Sequence, residues 1–238
     1  MKRALKWVGL LVLVLVVAAA FVLYSAFGDN KPTVDGQRLV PGVQTVEDRF
    51  VNMFLLDTGP GAVALIDAGL DDSGKALLAA LTQRGLSRDA VKAIFLTHGH
   101  GDHTAGCKLF ADADVYALAD EVSLVGAAAK VTHPLKDGDI TTVGELSVET
   151  FAVPGHTPGS AVFLARGVLF FGDSAGASKE GTVMKAVRLF SKDSSQNVAS
   201  LRALAARLSP RASEIKVLAF GHTGPLDGFG PLAAFAAR

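Results

Sequence analysis

Between Thr97 and His103 the chain reads Thr-His-Gly-His-Gly-Asp-His, which puts three imidazoles and a carboxylate into the six positions 98 to 103. Side chains two apart on an extended segment face the same way, so His98 and His100 can grip one ion together. Asp102 and His103 follow at once and can reach a neighbouring position. Imidazole and carboxylate are the mixed nitrogen and oxygen donors that borderline divalent ions such as Zn²⁺ accept. A His tag or a low-complexity tract would lack the apolar run Val91-Lys92-Ala93-Ile94-Phe95-Leu96 that leads into these residues. The segment reads as a metal site.

Three later segments repeat this context. Residues 148–153 run into Pro154-Gly155-His156, residues 168–171 into Gly172-Asp173, and residues 215–220 into Gly221-His222. Each is a short apolar, β-prone run, then a glycine, then a potential ligand. Glycine lets a chain turn tightly at a strand end. Four strand ends are therefore expected to bring ligands to one edge of a sheet, where a rigid scaffold carries functional loops. The sixth histidine, His133 before Pro134, lies outside the pattern and is read as structural.

The combination of His98-x-His100-x-Asp102-His103, Gly155-His156-Thr157-Pro158-Gly159-Ser160, Gly172-Asp173 and Gly221-His222 resembles the metallo-β-lactamase-fold superfamily, in particular its glyoxalase II-like hydrolases. Val63-Ala64-Leu65-Ile66-Asp67-Ala68-Gly69 is similar to the family's strand-ending acidic turn, and the resemblance covers residues 38–225. It implies an α/β fold, a four-layer αββα sandwich with metals at one sheet edge. It also implies that His98, His100 and His156 bind a first ion, that Asp102, His103 and His222 bind a second, and that Asp173 bridges them. The cofactors expected are two divalent metal ions, zinc first, with iron or manganese as alternatives.

The chemistry that follows is hydrolysis of an ester, thioester, lactone or amide by a hydroxide held between the ions, with the ions stabilising the oxyanion. Asp102 would bind the second ion and orient the nucleophile or accept a proton. Asp67 either hydrogen-bonds a ligand imidazole and sets its tautomer or is a plain turn carboxylate. Thr157 and Ser160 are read as supporting the turn rather than as nucleophiles. Glyoxalase II proper carries a helical C-terminal domain, whereas 16 residues follow His222 here. The resemblance to glyoxalase II proper breaks down there, so its glutathione thioester is not carried over as the expected substrate. The alternatives are a mononuclear iron sulfur-dioxygenase, a phosphodiesterase, and a metal-binding module without catalysis.

Composition narrows the partners. Lys plus Arg and Asp plus Glu both number 23, so no overall field points to nucleic acid, and a small-molecule substrate is expected. Oligomeric state is not legible. The single cysteine, Cys107, cannot form an intramolecular disulfide and is read as a small core residue.

Lys2, Arg3 and Lys6 precede residues 7–28, which carry no charge. In a helix those residues span about 33 Å, enough for a bilayer core. Residues 1–28 are thus expected to be a transmembrane anchor, the N-terminus inside and the catalytic domain extracytoplasmic. A cleaved signal peptide with a cut site near Ala18-Ala19-Ala20 is the competing reading. It is disfavoured because apolar sequence continues to Phe27. Residues 29–37 follow as a linker and 38–238 as the catalytic domain.

Hairpin-like runs are expected at 49–56 and 62–67, and helices at 72–84, 104–110, 119–129, 194–208 and 231–237. Residues 140–171 read as β-rich and 175–192 as irregular. The loop from 174 to 192 and the turn at 57–61 are expected to line the substrate pocket.

Overall fold

The computed structural model describes the backbone of residues 2–238, with the side chains of Trp7 and of residues 12–18, 21–22 and 24–238. The chain divides into two compact units, Met1–Asn30 and Lys31–Arg238. In the first, α1 (Lys2–Phe27) is one continuous helix. Among the described residues, however, no helix is long and apolar enough to cross a membrane. A span needs about 20 consecutive apolar residues in one helix. This overturns the expected membrane helix over residues 7–28 and the membrane as a partner. The extracytoplasmic location, single-pass or exported, rested on that span and falls with it. The side chains of Lys2, Arg3, Lys6, Ala19 and Ala20, which had entered that expectation, lie outside the described set.

The second unit opens with β1 (Arg38–Val40), β2 (Val43–Asp48), β3 (Val51–Gly59), β4 (Ala62–Ile66), α2 (Lys75–Gln83) and β5 (Val91–Phe95). α3 (Gly101–Thr104), β6 (Asp114–Leu118), α4 (Val122–Val125) and β7 (His133–Leu135) complete its first half. These strands form a seven-stranded sheet in chain order, β1 to β4 antiparallel and β4 to β7 parallel. The second half contains β8 (Ile140–Val143), β9 (Leu146–Ala152), β10 (Ala161–Ala165), β11 (Val168–Phe170), β12 (Ala175–Ala177) and β13 (Val183–Lys185). It continues through α5 (Ser194–Leu208), β14 (Val217–Ala219), β15 (Leu226–Asp227) and α6 (Gly230–Ala236). A six-stranded sheet runs β15-β14-β11-β10-β9-β8, and β12 and β13 pair apart as a hairpin.

Alternation along the strands builds the layers, because successive side chains face opposite sides of a sheet. Phe54, Leu56, Ala64 and Ile66 pack with Phe163, Ala165 and Phe170 between the two sheets. Met53, Leu55, Val63 and Leu65 face the other way, beneath Leu77 and Leu81 of α2. Val162 and Leu164 face Leu201, Leu204 and Leu208 of α5 and Leu232 of α6. Three apolar layers thus separate four layers of structure, as the resemblance implied.

Strand direction positions the site. β9 and β11 are each antiparallel to β10, and β14 is parallel to β11, so β9, β11 and β14 end at the same side. Two expectations for the loops differ from this picture. Part of 175–192 is an ordered hairpin rather than irregular. The turn at 57–61 follows β3, which is antiparallel to β4, and β4 is parallel to β5. It therefore lies at the end opposite the histidines.

Candidate metal centre

Four strand ends carry the seven residues. β5 leads into His98, His100, Asp102 and His103, β9 into His156, β11 into Asp173, and β14 into His222. One strand comes from the first sheet and three from the second, so the donors meet across both sheets rather than along one. All seven converge. His98, His100, His156 and Asp173 form one group and Asp102, His103 and His222 a second, with the donor atoms of each within 4.8 Å of one another.

The first group is a triangle of ring nitrogens. His98 Nε2 lies 3.1 Å from His100 Nδ1, His156 Nε2 lies 3.2 Å from His98 Nε2, and His156 Nε2 lies 3.0 Å from His100 Nδ1. Bonds of 2.0–2.1 Å to one tetrahedral ion would set such nitrogens about 3.3 Å apart. Asp173 Oδ2 sits 3.6 Å from His156 Nε2 and 3.2 Å from His222 Nε2, between the groups. In the second group His222 Nε2 is 3.3 Å from Asp102 Oδ2, and His103 Nε2 is 3.2 Å from Asp173 Oδ1. Those last two atoms are buried and without a hydrogen-bond partner. Buried polar atoms are nearly always satisfied, so a pair of orphans facing one another fits a cation.

The far ring nitrogens fix the tautomers. Asp67 Oδ2 accepts from His103 Nδ1 at 2.8 Å, and the Phe50 carbonyl accepts from His222 Nδ1 at 2.7 Å. Thr97 donates its hydroxyl proton to Asp67, so His98 Nδ1 donates to Thr97 Oγ1. Ser191 donates to the Val187 carbonyl, so His156 Nδ1 donates to Ser191 Oγ at 3.3 Å. In all four rings Nε2 is the atom that points inward, and an outer partner holding the other N–H is what orients metal-binding imidazoles. Asp67 therefore does what the first of its two sequence readings expected.

Burial and charge pull the imidazoles apart. Burial holds His98 well below the ordinary histidine value and lowers His156 to about 4. For His103 and His222 burial acts in the same direction, but the carboxylates outweigh it. Asp173 and Asp67 hold His103 well above its usual range, and Asp173 with Asp102 raises His222 to about 10. Burial opposes the charged form of Asp173, yet His103 and His222 keep its carboxyl well below the usual range.

Glycine at 221 is a condition of this packing. A Cβ there would lie 2.5 Å from Asp173 Oδ1 and 2.9 Å from His103 Cε1. Buried amides clamp the loops from outside. Asn52 Nδ2 donates to the Phe220 and Thr223 carbonyls on either side of His222, and Asn197 Nδ2 donates to the Ser174 carbonyl beside Asp173. Neither residue stands out in the sequence, where each is an ordinary polar position in a strand or helix. Ser191 and Phe50 were also missed, and the Phe50 ring stacks on His222 with centroids 5.8 Å apart.

The sequence model of the metallo-beta-lactamase superfamily matches residues 46–222, more than half of the 238. The chain belongs to the metallo-beta-lactamase superfamily. Within that superfamily it is 30% identical over 153 residues to a hydroxyacylglutathione hydrolase of Vibrio cholerae, covering 60% of this chain and 56% of that one. The chain thus spans little more than half the length of such curated relatives. A metallo-beta-lactamase family protein from Thermus thermophilus superposes with a TM-score of 0.62 at 25% identity, covering 84% of this chain and 80% of the other. A subclass B3 metallo-beta-lactamase of Bradyrhizobium japonicum, 21% identical, has the same fold with a TM-score of 0.64 over 89% of this chain and 93% of its own. His133 stays outside the cluster, its ring stacked on Tyr116. Cys107 is buried in the core beneath α2.

Proposed function

We propose that residues 38–238 form a metal-dependent hydrolase that cleaves an ester, thioester, lactone or amide bond with two divalent ions, zinc first among them. The observation that carries this reading is the convergence of seven donors into two groups, with His103 Nε2 and Asp173 Oδ1 buried and unpartnered between them. Superfamily membership and likeness to hydroxyacylglutathione hydrolases support carbonyl hydrolysis and put a thioester at the head of the panel.

When bound, a pair of such ions supplies hydroxide near neutral pH and stabilises the oxyanion formed on attack. The chain's own residues set the geometry. His98, His100 and His156 would hold the first ion, Asp102, His103 and His222 the second, and Asp173, between the groups, both. Asp67 keeps the His103 Nε2 lone pair inward, and the Phe50 carbonyl does the same for His222. Asp102 remains partly accessible. It can orient the nucleophile or take a proton from it.

Metal analysis of the purified chain is expected to give two ions per molecule. A thioester, ester, lactone and β-lactam panel should reveal turnover that chelation abolishes and zinc restores. Asp102→Ala should lower that turnover about 10²- to 10⁴-fold. Near-wild-type turnover in Asp102→Ala with both ions retained would rule out its role. Metal-loaded protein inert on the whole panel, but consuming oxygen with a persulfide or cleaving a phosphodiester, would replace the hydrolase reading.

A further inference from the structure

Glu121 is fully buried, in the short helical turn Ala119–Glu121 that leads into α4, and none of the seven donors includes it. Its Oε1 accepts the Gly99 amide at 2.7 Å. Its Oε2 accepts the Thr157 hydroxyl at 2.9 Å and the Gly159 amide at 2.8 Å. Gly99 separates His98 from His100, and Thr157 follows His156. One carboxylate therefore joins the two loops that carry the nitrogen triangle.

Packing on that turn and on α4 is equally close. A Cβ on Gly99 would lie 2.7 Å from the Val125 nitrogen, and one on Gly159 would lie 2.5 Å from the Glu121 nitrogen. Neither loop can approach this way with a larger residue. The β5 and β9 loops come from different sheets, and besides Glu121 the Ala161 N–H, which donates to the Thr97 carbonyl at 2.8 Å, joins the segments that flank them.

We propose that Glu121 is the positioning residue of the first ion site, setting the spacing of His98, His100 and His156 from outside the ligand set. The inference rests on the metal-site reading above. An amide in place of the carboxylate puts an NH₂ against a backbone N–H whichever way it is turned, so Glu121→Gln loosens the clamp at nearly constant volume.

The test uses zinc titration in two backgrounds. In His222→Ala, where only the first group is intact, adding Glu121→Gln should weaken zinc binding roughly 10–100-fold. In His100→Ala, where only the second group is intact, adding it should leave zinc affinity unchanged. In the metal-free chain, Glu121→Gln should speed amide hydrogen exchange at Gly99 and Gly159. Equal weakening in both backgrounds, or none in either, overturns the proposal. If Glu121→Gln fails to fold, Thr157→Val removes one bond to the same carboxylate: selective weakening at the first site supports the proposal, and unchanged affinity overturns it. A His222→Ala chain that binds no zinc would instead sink the metal reading, while faster exchange at the two glycines would still report the clamp.

Discussion

The Asp67 carboxylate holds three groups at once, the Thr97 amide, the Thr97 hydroxyl and His103 Nδ1, each at 2.8 Å. It does so from a left-handed backbone conformation, φ 59°, uncommon for a residue with a side chain. Asp67→Asn keeps the volume but loses the acceptor that fixes His103. Zinc affinity at the second group should fall roughly 10–100-fold in competition with a chromophoric chelator, and an unchanged affinity would refute this role. Cys107 makes an opposite prediction. Burial pushes its thiol from 9.0 up to about 12. At pH 8 only about 10⁻⁴ of it is thiolate, the reactive form. Iodoacetamide should label it slowly in the folded chain and quickly in urea, and rapid labelling of folded protein would contradict its core placement. Because the folded-state value is raised, its contribution to stability is present below pH 9 and fades as pH climbs toward 12. The seven candidate donors were legible through their repetition, a His or Asp after a β-prone run at one strand end after another, which no single one of them would have shown. Glu121 was not, because Ala119-Asp120-Glu121 looks like the acidic first turn of any helix.

Among the elements, β10 is buried from both sides. Its five residues are all buried, Phe163 facing the first sheet across the middle layer and Val162 facing the helices. The Phe163 ring packs edge-on against Phe95 at 5.5 Å. Phe163→Ala should cost about 3–5 kcal/mol, read from urea unfolding. A loss under about 1 kcal/mol would mean that the middle layer can collapse around the gap. Element boundaries were harder to read than element types. The helix expected at 119–129 is a 3₁₀ turn followed by one turn of α4, stopped at Gly126 with φ 53°. The third strand's partner β2 was missed because its sequence, Val-Gln-Thr-Val-Glu-Asp, has no period-two alternation: the half-buried Gln44 and Glu47 fall on opposite faces. β7 was missed because Pro134 sits inside it, which an edge strand tolerates.

For the whole molecule, two ions held between the sheets would tie the two halves of the sandwich together, since the first half contributes His98, His100, Asp102 and His103 and the second His156, Asp173 and His222. A ligand that binds only the folded state stabilises it by about 2.7 kcal/mol at a hundredfold excess over its Kd. Chelation should therefore lower the thermal midpoint, and zinc should restore it. A midpoint indifferent to both would argue against a site spanning the sheets. The donor types, their glycine-preceded strand ends and the family resemblance were determined by the sequence alone, because ligand chemistry and strand periodicity are local properties of neighbouring residues. The tautomers and the clamps at Glu121, Asn52 and Asn197 were decided only by tertiary structure. They depend on strands whose directions are set by pairing with others far away in the chain. The apolar N-terminal stretch is the contrary case: its composition read as a span, and among the described residues no helix met the length and apolarity that a bilayer demands.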